Sequence, residues 1–252
     1  MSSSLIRDFS AEVLSRVQRL AELAAAGALD AAIDLMADSI EQGGVIQAFG
    51  TGHSEAFAME IAGRAGGLIP TNKIALRDVV LQGHRDVDVL GASTLERDPS
   101  IAAELWDISP IHPGDVFLIA SNSGVNGSIV GLALLAKQKG HRVIAVTSLA
   151  HTKQVEPKHA SGKRLCDVAD VVLDNLAPFG DATIALPGGV PVGSVSSITS
   201  AFIAQLLTLG VAERIGATGQ VPPLYLSANI PGGDEHNHTL EQKYAGRIRR
   251  GT

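Results

Sequence analysis

The 252-residue chain has a single cysteine, Cys166, so no internal disulfide can brace it. A reducing, cytoplasmic setting is the simplest fit. Aromatic residues are scarce, 4% against 45% hydrophobic overall, so aliphatic side chains and alanine must fill the core. Positive charge is short as well: 20 Lys and Arg face 26 Asp and Glu, a net −6. That argues against nucleic acid as a partner, because phosphate backbones need clustered cations. The one basic cluster, Arg247, Arg249 and Arg250, reads as a solvated tail. No run of membrane-spanning length stands out, and the first residues have no apolar signal core. The expectation is a soluble cytoplasmic protein with no membrane partner. No HxxxH or CxxC pair exists, and His236 and His238 do not share a helix face, so no metal site is expected. Gly-Lys-Ser/Thr, the third glycine of GxGxxG and a GxSxG elbow are all missing. Their absence excludes a P-loop, disfavours a dinucleotide, and weakens a serine hydrolase. No cofactor is expected.

What the chain does have is a polar turn, Ser121-Asn122-Ser123-Gly124-Val125-Asn126-Gly127-Ser128. It follows an apolar run, Val116 to Ala120, and precedes apolar residues at helical spacing from Ile129 to Lys139. Free N–H groups and the positive dipole end of a helix start favour an anion. Ser121, Ser123 and Ser128 add hydroxyl donors, and Gly124 lets backbone come close. A phosphate monoester suits this turn; helix capping alone is the plainer alternative.

Upstream, Phe9 to Ala26 and Ala28 to Ile40 carry apolar residues at helical spacing on either side of Gly27. Residues 1–42 therefore read as a helical pair packed on a unit spanning 43–252. Val45 to Phe49 reads as a buried strand, followed by Gly50-Thr51-Gly52-His53-Ser54 and a helix from Glu55 to Arg64. Two glycine-and-hydroxyl turns, each between a strand and a helix, point to an open α/β sheet. Such sheets bind ligands at the carboxyl ends of their strands. A further strand covers Val143 to Val146, and Val168 to Leu173 reads as another. The charged stretch Arg77 to Asp98 is long for a loop, and loops of that length often serve function. Ala177 to Val192 is too rich in Gly and Pro for a regular helix, and Ser194 to Ile215 reads as a long apolar one.

The two turns, with Val143-Ile144-Ala145-Val146-Thr147 after the second, resemble the sugar isomerase (SIS) domain family over about Gly43 to Ile215. Arg64-Ala65-Gly66-Gly67-Leu68, Ser161-Gly162-Lys163-Arg164 and Gly233-Asp234-Glu235-His236-Asn237 look like a bacterial branch of it. The resemblance implies a single Rossmann-like three-layer αβα domain. Its five-stranded parallel sheet would be flanked by helices, with an N-terminal helical hairpin. It implies a phosphorylated sugar as ligand, with Ser54, Ser121 and Ser123 holding its phosphate, and an oligomer with sites at subunit interfaces. Asn126 stands where many members have Thr. Phosphoheptose isomerase and N-acetylmuramic acid 6-phosphate etherase are similar in design.

Both of those enzymes begin by removing the proton beside a sugar carbonyl, which needs a base within hydrogen-bond reach. Glu60 is the first candidate, on the helix leaving the first turn; a Glu60–Arg64 surface pair is the competing reading. His84 in the long loop and His236 at the start of the last helix are further candidates, and Glu41 a weaker one. Gly52, His53, Ser54, Ser121, Asn122, Ser123, Asn126 and Lys163 make up the expected phosphosugar contacts. Elimination on an N-acetylhexosamine 6-phosphate leads. Aldose–ketose isomerisation and a non-catalytic phosphosugar sensor are the alternatives. The apolar helices Phe9 to Ile40 and Ser194 to Ile215 predict a homo-oligomer, a dimer by preference.

Overall fold

The computed structural model describes residues 4–91 and 94–249; Arg250 of the basic cluster lies outside them. The chain opens with α1 (Ser4–Ala25) and α2 (Asp30–Glu41). They part at Gly27, whose φ of +84° suits glycine. β1 (Ile46–Gly50) passes through a 3₁₀ turn, Gly52–Ser54, into α3 (Glu55–Ile61). This helix stops short of Arg64, since Gly63 turns left-handed at φ +77°. Next come β2 (Thr71–Ile74), α4 (Asp78–Leu81), 3₁₀ turns at Val87–Gly91 and Leu95–Arg97, and α5 (Ile101–Ile108). β3 (Val116–Ala120), α6 (Gly127–Gln138) and β4 (Arg142–Thr147) follow. Short α7 (Leu149–Thr152) and α8 (Leu165–Val168) lead to β5 (Val171–Asp174). The Gly/Pro-rich stretch forms a hairpin of β6 (Ala182–Ala185) and β7 (Pro191–Ser194). It feeds α9 (Ser196–Ala217), and α10 (Gly233–Glu241) comes last.

Five strands pair in parallel in the order β2-β1-β3-β4-β5. Side chains alternate across each strand, and the core divides accordingly. Ile46, Ala48, Val116, Leu118 and Ile144 face α2, α3 and α9. Phe49, Phe117, Ile119, Val143 and Ala145 face α5 and α6. The helix after β1 thus covers one face and the helix after β3 the other. The winding reverses between two adjacent strands, which opens a crevice at their carboxyl ends.

Two expectations need correction. α9 has 22 residues and is long and apolar enough to span a membrane by length and composition, although no such run was expected. It lies along the sheet, burying Ile203, Ala204, Leu207 and Val211 with residues of α2 and α3. Nor is the basic cluster a solvated tail. Arg247 reaches Asp115, a carboxylate only 1% exposed, at 2.7 Å, and donates to the Gly43 carbonyl at 3.1 Å. Asn72 of β2 brackets the same segment, donating to the Arg247 carbonyl at 2.6 Å and accepting from the Arg249 N–H at 2.7 Å. Arg249 also donates to the Ile108 carbonyl. A buried carboxylate demands a counter-charge, which the sequence reading had not located.

Asp115 also accepts from the N–H of Val45 at 2.9 Å, Nε2 of Gln47 at 2.9 Å and the N–H of His112 at 3.0 Å. Removing the carboxylate takes the acceptor from all four donors, of which the Gln47 amide keeps the Pro110 carbonyl at 3.2 Å. Asp115→Ala should therefore lose about 3–5 kcal/mol of stability. Arg247→Ala should lose about 1–3 kcal/mol, because three neutral donors remain. Urea unfolding of both variants checks the order; an Asp115→Ala midpoint close to the native one would contradict it.

Candidate functional site

Gly50 of β1 and Ala120 of β3 pair level with each other, so the two turns start side by side. Gly50 has no room for a side chain: a Cβ there would stand 2.2 Å from the Ser54 carbonyl oxygen. The first turn folds back tightly on itself for that reason. It leaves Gly52 and His53 exposed and Ser54 half-buried.

In the second turn, Ser121 is 6% exposed. Its Oγ accepts from the Gly124 N–H at 3.1 Å, which leaves its own hydrogen free to donate elsewhere. Gly124 has φ +65°, and a Cβ there would press to 3.2 Å on the hydroxyls of both Thr147 and Thr152. Asn122 and Ser123 are half-buried. Asn122 is steadied from β5, its Oδ1 accepting from Asn175 Nδ2 at 3.2 Å, and its carbonyl accepts from the Ser148 N–H at 3.2 Å. Ser121 and Ser123 therefore lie in the turn that leads into the 12-residue α6, a pattern suited to an anion.

Two residues of this turn act otherwise than expected. Ser128 is fully buried and donates to the Glu96 carbonyl at 2.6 Å, so its hydroxyl is spent. Asn126 Nδ2 donates to the Glu96 carboxylate at 3.2 Å. The reason is local packing. The 3₁₀ turn Leu95–Arg97 lies against the start of α6, and Gly127 admits it because a Cβ there would stand 2.2 Å from the Arg97 carbonyl oxygen. Glu96 Oε2 in turn lies 3.6 Å from where a Cβ on Gly52 would be. Glu96 thus bonds the second turn and shares a cavity wall with Gly52 of the first. Sequence reasoning marked its loop as functional but not this residue. The close Gly127 contact that seats it has no short-range signal.

A cavity of about 480 Å³ opens beside Gly52. Glu55, Leu76, Arg77, Leu90, Leu95 and Glu96 complete its wall. Glu55 forms ion pairs with Arg77 and, at 3.4 Å, with Lys73. Asp78 nearby accepts from the Ala75 N–H at 2.9 Å. Burial pushes its carboxyl above the usual range, against the pull of that N–H and of Arg249 and Lys73.

The three expected acid–base residues are not gathered here within one chain. Glu60 sits in the last turn of α3, paired with Arg64 and accepting from Gln205 Nε2 at 2.6 Å. The competing surface-pair reading thus describes its contacts. His84 lines a different cavity, of about 390 Å³, with Arg85, Glu104, Asp107 and Ile108 between α4 and α5. His236 Nε2 donates to the Leu224 carbonyl at 2.9 Å. Leu224 bridges to Leu68, ahead of β2, which puts it toward the amino ends of the strands. Glu41 lies at that same end, accepting from Thr218 and Gln220 at 3.2 Å each. Lys163 is exposed, on the segment whose Leu165 N–H meets the Gly124 carbonyl at 2.8 Å. Among the described residues no group of three His, Cys, Asp or Glu side chains could hold a metal ion.

Comparison with known proteins fits this architecture. The SIS domain model matches residues 8–148. A UPF0309 protein of Streptomyces coelicolor is 38% identical over 227 residues, covering 88% of each chain. A UPF0309 protein of Listeria monocytogenes is 39% identical over 219 residues, covering 86% of this chain and 88% of its own. Among solved structures, a phosphoheptose isomerase from Francisella tularensis superposes with a TM-score of 0.51 at 21% identity. It covers 84% of this chain and 99% of its own. That likeness is one of fold. With its strand order, its paired turns and relatives matched over most of its length, the chain belongs to the SIS domain family and shares the UPF0309 branch of it.

Proposed function

We propose that the chain is an enzyme acting on a sugar 6-phosphate, with the phosphate in the Ser121–Gly124 turn and the sugar reaching over Gly52. Two structural neighbours agree with a phosphosugar ligand. One is the phosphoheptose isomerase, and the other is an Escherichia coli protein in complex with a phosphosugar. The second has a TM-score of 0.50 at 18% identity and covers 84% of this chain and 90% of its own. The observation that carries the reading is Glu96, a carboxylate bonded to the second turn that lines the cavity beside Gly52 of the first. His53, exposed on the first turn, is proposed as a donor to the open-chain hydroxyls.

In the open-chain sugar the C2 proton is acidic because the C1 aldehyde takes up the charge. Glu96 removes that proton, the electron pair moves into a C1–C2 enolate, and its return breaks the C3–O bond as the departing oxygen takes up the proton carried by Glu96. With an N-acetyl group on C2, return of a proton at C1 does not give a ketose, because the amide nitrogen does not readily become the new carbonyl position. Elimination, a lyase or dehydratase outcome, then follows. With a hydroxyl on C2, the same enolate gives aldose–ketose isomerisation. N-acetylglucosamine 6-phosphate should yield an unsaturated product seen by ultraviolet absorbance. Ketose from an aldose 6-phosphate without that product would assign isomerisation instead. Ligand binding without deuterium exchange at C2 would assign a sensor.

We further propose that copies of the chain associate through α1, α3 and α9, where Leu14, Met59, Ile198 and Leu209 are exposed. The helical pair of residues 1–42 would be part of that contact. Light scattering at micromolar concentration should report a dimer or larger; a monomer would refute this. Ser121→Ala and Ser123→Ala should each weaken phosphosugar binding about tenfold, the loss of one hydrogen bond to a charged group. Titration calorimetry reads this, and normal binding by the double variant would leave helix capping as the turn's only role. Glu96→Gln keeps the contact with Asn126 but cannot take a proton. Turnover should fall about 10²–10⁴-fold with binding retained. Glu60→Gln should change turnover little, because its carboxylate is held by Arg64 and Gln205. The reverse pattern would return the base to Glu60.

A further inference from the structure

The cavity beside Gly52 extends from the carboxyl end of β1 toward that of β2, where Leu76 and Arg77 follow the strand. Its charges are of two kinds. Glu55 is already answered by Arg77 and Lys73. Among the described residues, the side chain that meets the Glu96 carboxylate is the neutral Asn126 amide. The rest of the wall is aliphatic: Leu95 is 8% exposed, and Leu76 and Leu90 complete a small apolar surface. Such a mix, mostly apolar with a few placed polar groups, is usual for a small-molecule subsite of this volume.

Resting on the phosphosugar reading above, we propose that this cavity is a subsite for a neutral acyl group carried on the sugar's C2 nitrogen, seated on Leu76, Leu90 and Leu95. Charge and chemistry restrict the occupant. A second anionic group would meet the Glu96 carboxylate, and Arg77 of the wall is already paired with Glu55. A free C2 ammonium would lose hydration against the aliphatic wall and leave the leucines uncovered. An amide carries no charge, and its acyl chain covers the leucines. The space of about 480 Å³ accommodates chains longer than acetyl. Each buried methylene should then tighten binding by up to about fourfold.

Titration calorimetry of the full chain tests this with inorganic phosphate, glucosamine 6-phosphate, and its N-acetyl, N-propionyl and N-butyryl derivatives. The acylated sugars should bind at least about fivefold more tightly than the free amine and improve with chain length. In Leu90→Gln, and further in Leu76→Gln/Leu90→Gln, the ratio of acyl to amine affinity should fall toward one. Leu90 is 42% exposed, so its replacement spares the core. Equal affinity for the amine and the N-acetyl sugar overturns the subsite while leaving the phosphate turn standing. So does an undiminished acyl preference in the double variant. Failure of every compound to bind, inorganic phosphate included, overturns the phosphosugar reading and the subsite with it.

Discussion

The structure depends on a charge buried at one end of its sheet. Asp115 sits beneath β1 and β3, and water reaches almost none of it. An ionised carboxylate in that position is tolerable only with full compensation. Backbone N–H groups of Val45 and His112, the Gln47 amide and the Arg247 guanidinium supply it. Its own carbonyl accepts from Nδ1 of His141, whose ring lies edge-on to Trp106 and Phe117. One side chain thereby fixes the start of two central strands, the turn between α5 and β3, and a segment from far along the chain. With the amino ends of the strands tied this way, the two serine-bearing turns stand at the opposite, carboxyl ends.

Much of the fold was legible because its signals are local. Val45 to Phe49, Val116 to Ala120 and Val143 to Val146 are uninterrupted apolar runs, as parallel strands buried on both faces must be. The serine-rich turn declared itself through Ser121, Ser123 and Gly124 in sequence. Contacts between distant segments were not legible. Arg247 and Asp115 are 132 residues apart, and nothing near either residue announces the other. The same holds for Glu96. Only Gly127, by yielding space to the Arg97 carbonyl, brings that carboxylate to the crevice. Ser128 looked like a phosphate donor because its type and place were right; the loop that claims its hydroxyl arrives from 32 residues upstream. The hairpin of β6 and β7 hid for another reason. Its glycines and prolines exclude a helix, but three pairings of four-residue strands leave little periodicity to read.

The candidate site has a division of labour that follows from topology. The second turn is stiff. Asn175 reaches it from β5, Ser148 from the end of β4, and Leu165 from beyond α7. The first turn has fewer ties and more exposure, at Gly52 and His53. An anion bound at the stiff turn is held by groups already in place. The portion of a ligand lying over Gly52 meets a wall contributed by the long segment after β2, the part of the domain most open to change in length and sequence. On the reading proposed above, anchor and selectivity are carried by different stretches of chain.

The pairing of Asp115 with Arg247 also has a meaning in time. A ribosome adds about 5–20 residues per second, so the 132 residues between the two partners take roughly 7–26 s to make. During that interval β3, α6 and α9 are made, while the Asp115 carboxylate has no Arg247 to pair with. Until the arginine is made, the neutral donors of Val45, Gln47 and His112 are the partners available to that carboxylate. The pairing thus joins a segment made late to two strands made early.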